Sequence, residues 1–140
     1  MKKNAYSLPV SALLCLLVTM NTGLSSCMAQ PRDIPMHKVY NVKWVHSHED
    51  DEGDIWAYRP DYHAFPPSRG RRGFKMLADK SFINYEIAPT DGIVERIGTW
   101  EGDTDGRLTV KFGESDRKHN YTMKIVSYEK KLLKLKIIQN

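Results

Sequence analysis

The chain is poor in cysteine. Of its 140 residues only Cys15 and Cys27 carry a thiol, so no disulfide framework can hold a domain that starts after position 27. Whatever folds there must be held by an apolar core. Long hydrophobic runs are missing too. The apolar stretch LPVSALLCLLVTM at residues 8–20 falls short of the roughly 20 residues that a membrane-crossing helix needs. No glycine-rich phosphate loop leads into a helix, and no nucleophile elbow surrounds Ser68 or Ser81. Paired carboxylates occur only in turn-like segments, where burial cannot raise a pKa. No catalytic residue, cofactor or metal is therefore expected. Charge of one sign is also scarce. Lys and Arg number 21 against 17 Asp and Glu, and two of the lysines, Lys2 and Lys3, belong to the extreme N-terminus. The near-balance of the rest lacks the basic face of a nucleic-acid-binding protein, so no nucleic-acid partner is expected.

What is present begins with an address. MKKN, the apolar run and the small polar stretch NTGLSS are the three regions of a secretory signal, expected to occupy residues 1–26. Leu24-Ser25-Ser26-Cys27 resembles the lipobox of bacterial lipoproteins, in which the cysteine becomes the first residue and carries acyl chains. Ordinary cleavage after Ala29, with Cys27-Met28-Ala29 as the recognition site, is the alternative. The resemblance implies lipidation at Cys27, a membrane partner reached through those chains, and a place in the cell envelope. Met28 rather than aspartate after the cysteine favours the outer membrane, facing the periplasm.

Residues 27–37, with two prolines and no period, read as a tether, and residues 38–140 as one domain of about 100 residues. Val, Ile, Thr, Tyr and Phe gather there in short runs separated by Gly-, Pro- and Asp-rich breaks. That pattern predicts an all-β fold. Strands are expected at 38–46, 54–59, 73–77, 82–87, 93–100, 107–112, 121–128 and 132–138. Leu108, Val110 and Phe112 alternate with Thr109 and Lys111; Tyr121, Met123 and Ile125 alternate with Thr122 and Lys124; Leu133, Leu135 and Ile137 alternate with Lys134 and Lys136. Period-two order of this kind gives each strand one dry and one wet face. A helix over the last segment is the alternative, but its lysines interrupt a clean stripe. Short connections predict an antiparallel up-and-down meander, and closure into a barrel removes exposed edges.

Phe74–Phe82 (FKMLADKSF), Gly98-Thr99-Trp100 and the closing run Lys131–Ile138 resemble segments of small bacterial lipocalin-like domains. The resemblance covers most of residues 38–138 and implies a small lipocalin-like barrel. It implies no activity. In two places the chain departs from that pattern: Asp79-Lys80-Ser81 lacks the turn glycine, and no glycine stands two places before Trp44.

In a pure meander alternate loops share an end. That would place Glu49, Asp50, Asp51 and Glu52 at an acidic mouth, and Arg69, Arg71 and Arg72 at an arginine-rich one. The stretch YRPDYHAFPPSRGRRGF at residues 58–74 would then be either a lid or a plug over the basic mouth. As a lid, Arg69, Arg71 and Arg72 would clamp a carboxylate or phosphate with their planar donor forks. Tyr58, Tyr62 and Phe65 would give it apolar cover, while Trp44 and Trp100 would line the cavity. As a plug, the aromatics cap the barrel and the arginines pair with Asp91 and Asp116 or meet water. His46, His48 and His63 invite a zinc reading, but His63 falls at the wrong end of the meander. Asp103-Thr104-Asp105-Gly106 invites a calcium reading but lacks the ordered ligand spacing. The function expected is a binding module for a small amphipathic or anionic molecule. The alternative is a filled, non-catalytic interaction domain.

Overall fold

The computed structural model describes residues 34–103 and 105–138. The leader at 1–26, Cys27 and the tether up to position 33 lie outside the described residues. Eight strands form: β1 (Lys43–His46), β2 (Ile55–Pro60), β3 (Gly73–Met76), β4 (Ser81–Ile87), β5 (Ile93–Gly102), β6 (Arg107–Phe112), β7 (Tyr121–Glu129) and β8 (Leu132–Ile138). They close into one antiparallel barrel, the fold class expected from the alternation. The last segment is strand β8, paired with β7 and β2, so the helical alternative does not hold.

β3 to β8 follow one another as a meander, but the first two strands depart from it. β1 lies between β2 and β3, and β2 closes the ring against β8. Because β2 and β3 are both antiparallel to β1, they run in the same direction. Residues 61–72 therefore carry the chain from one end of the barrel to the other, past β1. An extended chain covers about 3.3 Å per residue, which is ample for strands this short. Gly73 makes the arrangement possible. A Cβ there would stand 2.3 Å from the main-chain oxygen of Trp44, so only glycine lets β3 approach β1 at this point.

The first strand is shorter than its composition suggests. It was expected from position 38, but residues 36–38 form a 3-10 turn and Asn41 has φ of 61°. Residues 34–42 instead close one end of the barrel. Val39 is fully buried and its carbonyl accepts a hydrogen bond from the Trp44 indole at 3.0 Å. Tyr40 lies 5.5 Å from the Trp100 ring, and Ile34, Met36 and Val42 pack on the core. The last residues of the expected tether thus belong to the packed domain. Phe74, Met76, Phe82, Leu108, Val110 and Met123 fill the interior behind this plug.

The ring order also redistributes the loops. Residues 47–54, 88–92 and 113–120 share one end, where β1 finishes and β3 starts. Residues 77–80, 103, 105–106 and 130–131 share the closed end. The expected separation into an acidic and an arginine-rich mouth does not occur. Glu49 pairs with Arg71 at 2.5 Å, because the crossing loop delivers Arg69, Arg71 and Arg72 to the end that holds the 47–54 connection, and Asp50 pairs with Arg59 of β2 at 2.6 Å.

Candidate functional site

The barrel interior is apolar towards the closed end and polar towards the other. On β4, Phe82 is fully buried, and Asn84 and Glu86 share its inward parity. On β5, Arg96 shares the parity of buried Trp100. Arg96 donates to Glu86 at 3.1 Å and also pairs with Asp116, which lies in the 3-10 turn Glu114–His119. Asn84 donates to the same Glu86 carboxylate at 2.8 Å. The Arg96 guanidinium holds the Glu86 carboxyl below its ordinary range, against the opposing effect of burial. Arg96 thus ties the 113–120 connection to the barrel wall.

Beside this network lies a cavity of about 550 Å³. Its aromatic part comes from Trp56 and Tyr58 on β2 and Tyr121 on β7. Asn84 and Glu86 supply one wall, and Ile137 an apolar corner. Arg72, Lys118 and His119 stand around the opening. Burial pushes the phenols of Tyr58 and Tyr121 well above the usual tyrosine range. Both therefore stay neutral and able to donate. No protein-family model matches the chain, and no curated protein or solved structure matches it.

The residues singled out in the sequence separate into four places. Tyr58 and Arg72 line the cavity. Arg71 is bound into the fold: it donates to Glu49, to the main-chain oxygens of His46 and Pro66, and lies 4.8 Å from the Phe65 ring. Arg69 is exposed. Tyr62 is 69% exposed, with the Lys131 ammonium 5.1 Å from its ring. Trp44 and Trp100 are sealed in the plugged half, where the Trp100 indole donates to the Leu77 carbonyl at 3.0 Å. Arg71 pairs with Glu49 while Asp116 pairs with Arg96, so the partners expected for a plug do not occur among the described residues, and of the loop's arginines Arg72 stands at the cavity.

Trp56, Asn84, Glu86, His119 and Ile137 were not singled out. A signal for two of them was present, since Asn84 and Glu86 are polar residues at the inward parity set by Phe82. His46 bonds Asp51 at 2.9 Å and stacks on Trp56 at 5.0 Å, and His48 faces Arg71. Among the described residues no group of three or more His, Cys, Asp or Glu could hold a metal ion. The Asp103 carboxylate accepts from the backbone N–H groups of Asp105 and Arg107, each at 2.9 Å, which is turn chemistry.

Proposed function

We propose that this protein is a binding module that takes one small molecule into the polar end of its barrel. The observation that carries the reading is the cavity of about 550 Å³, which falls within the roughly 300–1,000 Å³ of small-molecule sites. Its aromatic floor offers apolar contact and its rim offers orientation. In this reading the N-terminal 26 residues export the chain and Cys27 anchors it by acyl chains in the cell envelope, at the outer membrane facing the periplasm. The closed eight-stranded antiparallel barrel is compatible with this reading. The described chain enters the barrel through residues 34–42 at the plugged end, and the cavity opens at the other end.

Native mass spectrometry of the full chain recovered from an envelope fraction tests this. A stoichiometric extra mass that disappears on denaturation is expected. A bare mass, apart from acyl chains on Cys27, overturns the carrier reading. One observation favours the interaction-domain alternative in that case. Ile83 pairs with Ile97 and Ile87 with Ile93 on the outer face of β4 and β5, and Ile97 is 71% exposed. Single exposed apolar residues are ordinary, but Ile87, Ile93 and Ile97, all exposed, with half-buried Ile83 on neighbouring strands form a patch.

A further inference from the structure

Tyr58 is the starting point. Only 5% of its surface is exposed, yet its hydroxyl makes no hydrogen bond among the described residues. Buried hydroxyls without a partner are rare in native proteins because their desolvation is uncompensated. Every side-chain nitrogen or oxygen that is wholly sealed among the described residues has a partner. The Tyr58 hydroxyl is therefore not wholly sealed, and Tyr58 lines the cavity. Tyr121 borders the same space, and its hydroxyl likewise has no partner among the described residues. The two phenols are close enough that Tyr58 helps raise the pKa of Tyr121, after burial.

The charges around these donors differ in their commitments. Glu86 is occupied by Arg96 and Asn84. Arg59, Arg71, Arg96 and Arg117 each have a carboxylate partner. Arg72 has none among the described residues. Its guanidinium carbon lies 5.8 Å from the centre of the Trp56 ring, at the edge of the cavity, and it acts on the Tyr58 phenol electrostatically. Lys118 at the rim adds a second cation, and the His119 ring lies beside it. The only carboxylate of the lining is thus already paired, while Arg72 and the two phenol hydroxyls are uncommitted among the described residues.

We propose that Arg72 and the hydroxyls of Tyr58 and Tyr121 form a carboxylate subsite. It takes the head of a small monocarboxylic acid whose apolar part lies on Trp56 and Ile137. The inference rests on the carrier reading above and names its ligand class. The donor count selects carboxylate over phosphate. An ionised carboxylate has about four lone-pair positions, which two parallel guanidinium bonds and two phenol bonds fill. The third oxygen of a phosphate monoester would have to turn to Lys118, outside this set of three residues.

The test is calorimetric titration of the full-length chain in detergent, cleared of copurified ligand, with benzoate, benzyl alcohol and phenyl phosphate as probes. Benzoate is expected to bind one to one, at least about tenfold more tightly than either of the others. Tyr58→Phe and Arg72→Gln should each weaken benzoate about tenfold, as loss of a hydrogen bond to a charged group does. Both should leave benzyl alcohol binding unchanged. Tyr58→Phe keeps the ring in the core and Arg72 is exposed, so both variants should keep the parent's melting temperature. Equal binding of benzoate and benzyl alcohol overturns the carboxylate subsite and leaves the carrier reading standing. Tighter binding of phenyl phosphate replaces carboxylate by phosphate and overturns the ligand class. No binding of any probe, together with a bare mass for the envelope-derived chain, overturns both.

Discussion

Trp44 and Gly73 meet at one main-chain oxygen, and both are sensitive to small changes. Adding one methyl in Gly73→Ala would press on the Trp44 carbonyl oxygen, which is backbone and cannot swing aside. The substitution should destabilise by about 1–3 kcal/mol or more, as overpacking does, and denaturant titration would show it as a lower midpoint. Trp44→Phe acts on the plug. It leaves the buried Val39 carbonyl without the indole donor, a loss of about 1–3 kcal/mol before any cavity is counted. A midpoint unchanged from the parent would mean that residues 34–42 do not close the barrel as described. Residues of this kind are hard to read from a sequence. Trp44 is plainly apolar, but which end of a barrel it fills depends on the ring order. Tyr58 and Arg72 were legible as a donor and a cation in one stretch. Arg72 is separated from Arg71, one position away, because Arg71 is bound to Glu49 while Arg72 lines the cavity.

The hairpin between β7 and β8 turns through Lys130 and Lys131, with φ of 49° and 64°. Two consecutive left-handed residues are what a two-residue hairpin requires, and Asn-Gly suits them better than Lys-Lys. Lys130→Asn with Lys131→Gly should therefore stabilise the domain by about 0.5–1 kcal/mol, read as a raised thermal midpoint. The turn at Lys80 repeats the theme. Its φ of 74° is the positive value for which the missing glycine had been noted, and its ammonium lies 3.8 Å from the Trp100 ring. Elements were more legible than their order. β6 and β8 match their expected bounds because Leu108-Thr109-Val110 and Leu133-Lys134-Leu135 alternate without a break. β1 was extended too far because Val39, Tyr40 and Val42 look like strand residues, while only the positive φ of Asn41 shows the bend. The exchange of β1 and β2 in the ring has no local signature. It depends on a long proline-containing connection and on the absence of a Cβ at position 73.

At the scale of the domain, the mouth is held by ion pairs, and pH should loosen it from the acid side. Arg71 holds Glu49 down to about 2, Arg59 lowers Asp50, and Arg96 lowers Glu86. Each carboxyl binds protons more weakly in the folded state than in the unfolded one. Their contributions are therefore complete at pH values above the ordinary carboxylate range near 4. They fade as pH falls through the folded values, near 2 for Glu49. Thermal melts between pH 7 and 2 should show a falling midpoint, and Arg71→Gln should remove the lowest part of that decline. Tyr58 and Tyr121 set the alkaline limit. Their raised phenols stabilise the fold below the ordinary tyrosine value near 10, and this is lost above it as the unfolded chain ionises first. An acid-insensitive melt would show that the pairs around the mouth do not contribute.

The strand exchange has a mechanical consequence. The described chain enters β1 at the plugged end and leaves β8 at the opposite end, and β2 lies between these two strands. A pull on the two ends is directed along the strands. It loads the β1–β2 and β2–β8 ladders in shear, so that their hydrogen bonds must break together rather than peel one by one. In a pure meander β1 and β8 would be direct neighbours and one ladder would take the load. Here β2 serves as a splice that joins the two ends of the chain through two ladders in series, and the buried ring of Tyr58 sits on that splice.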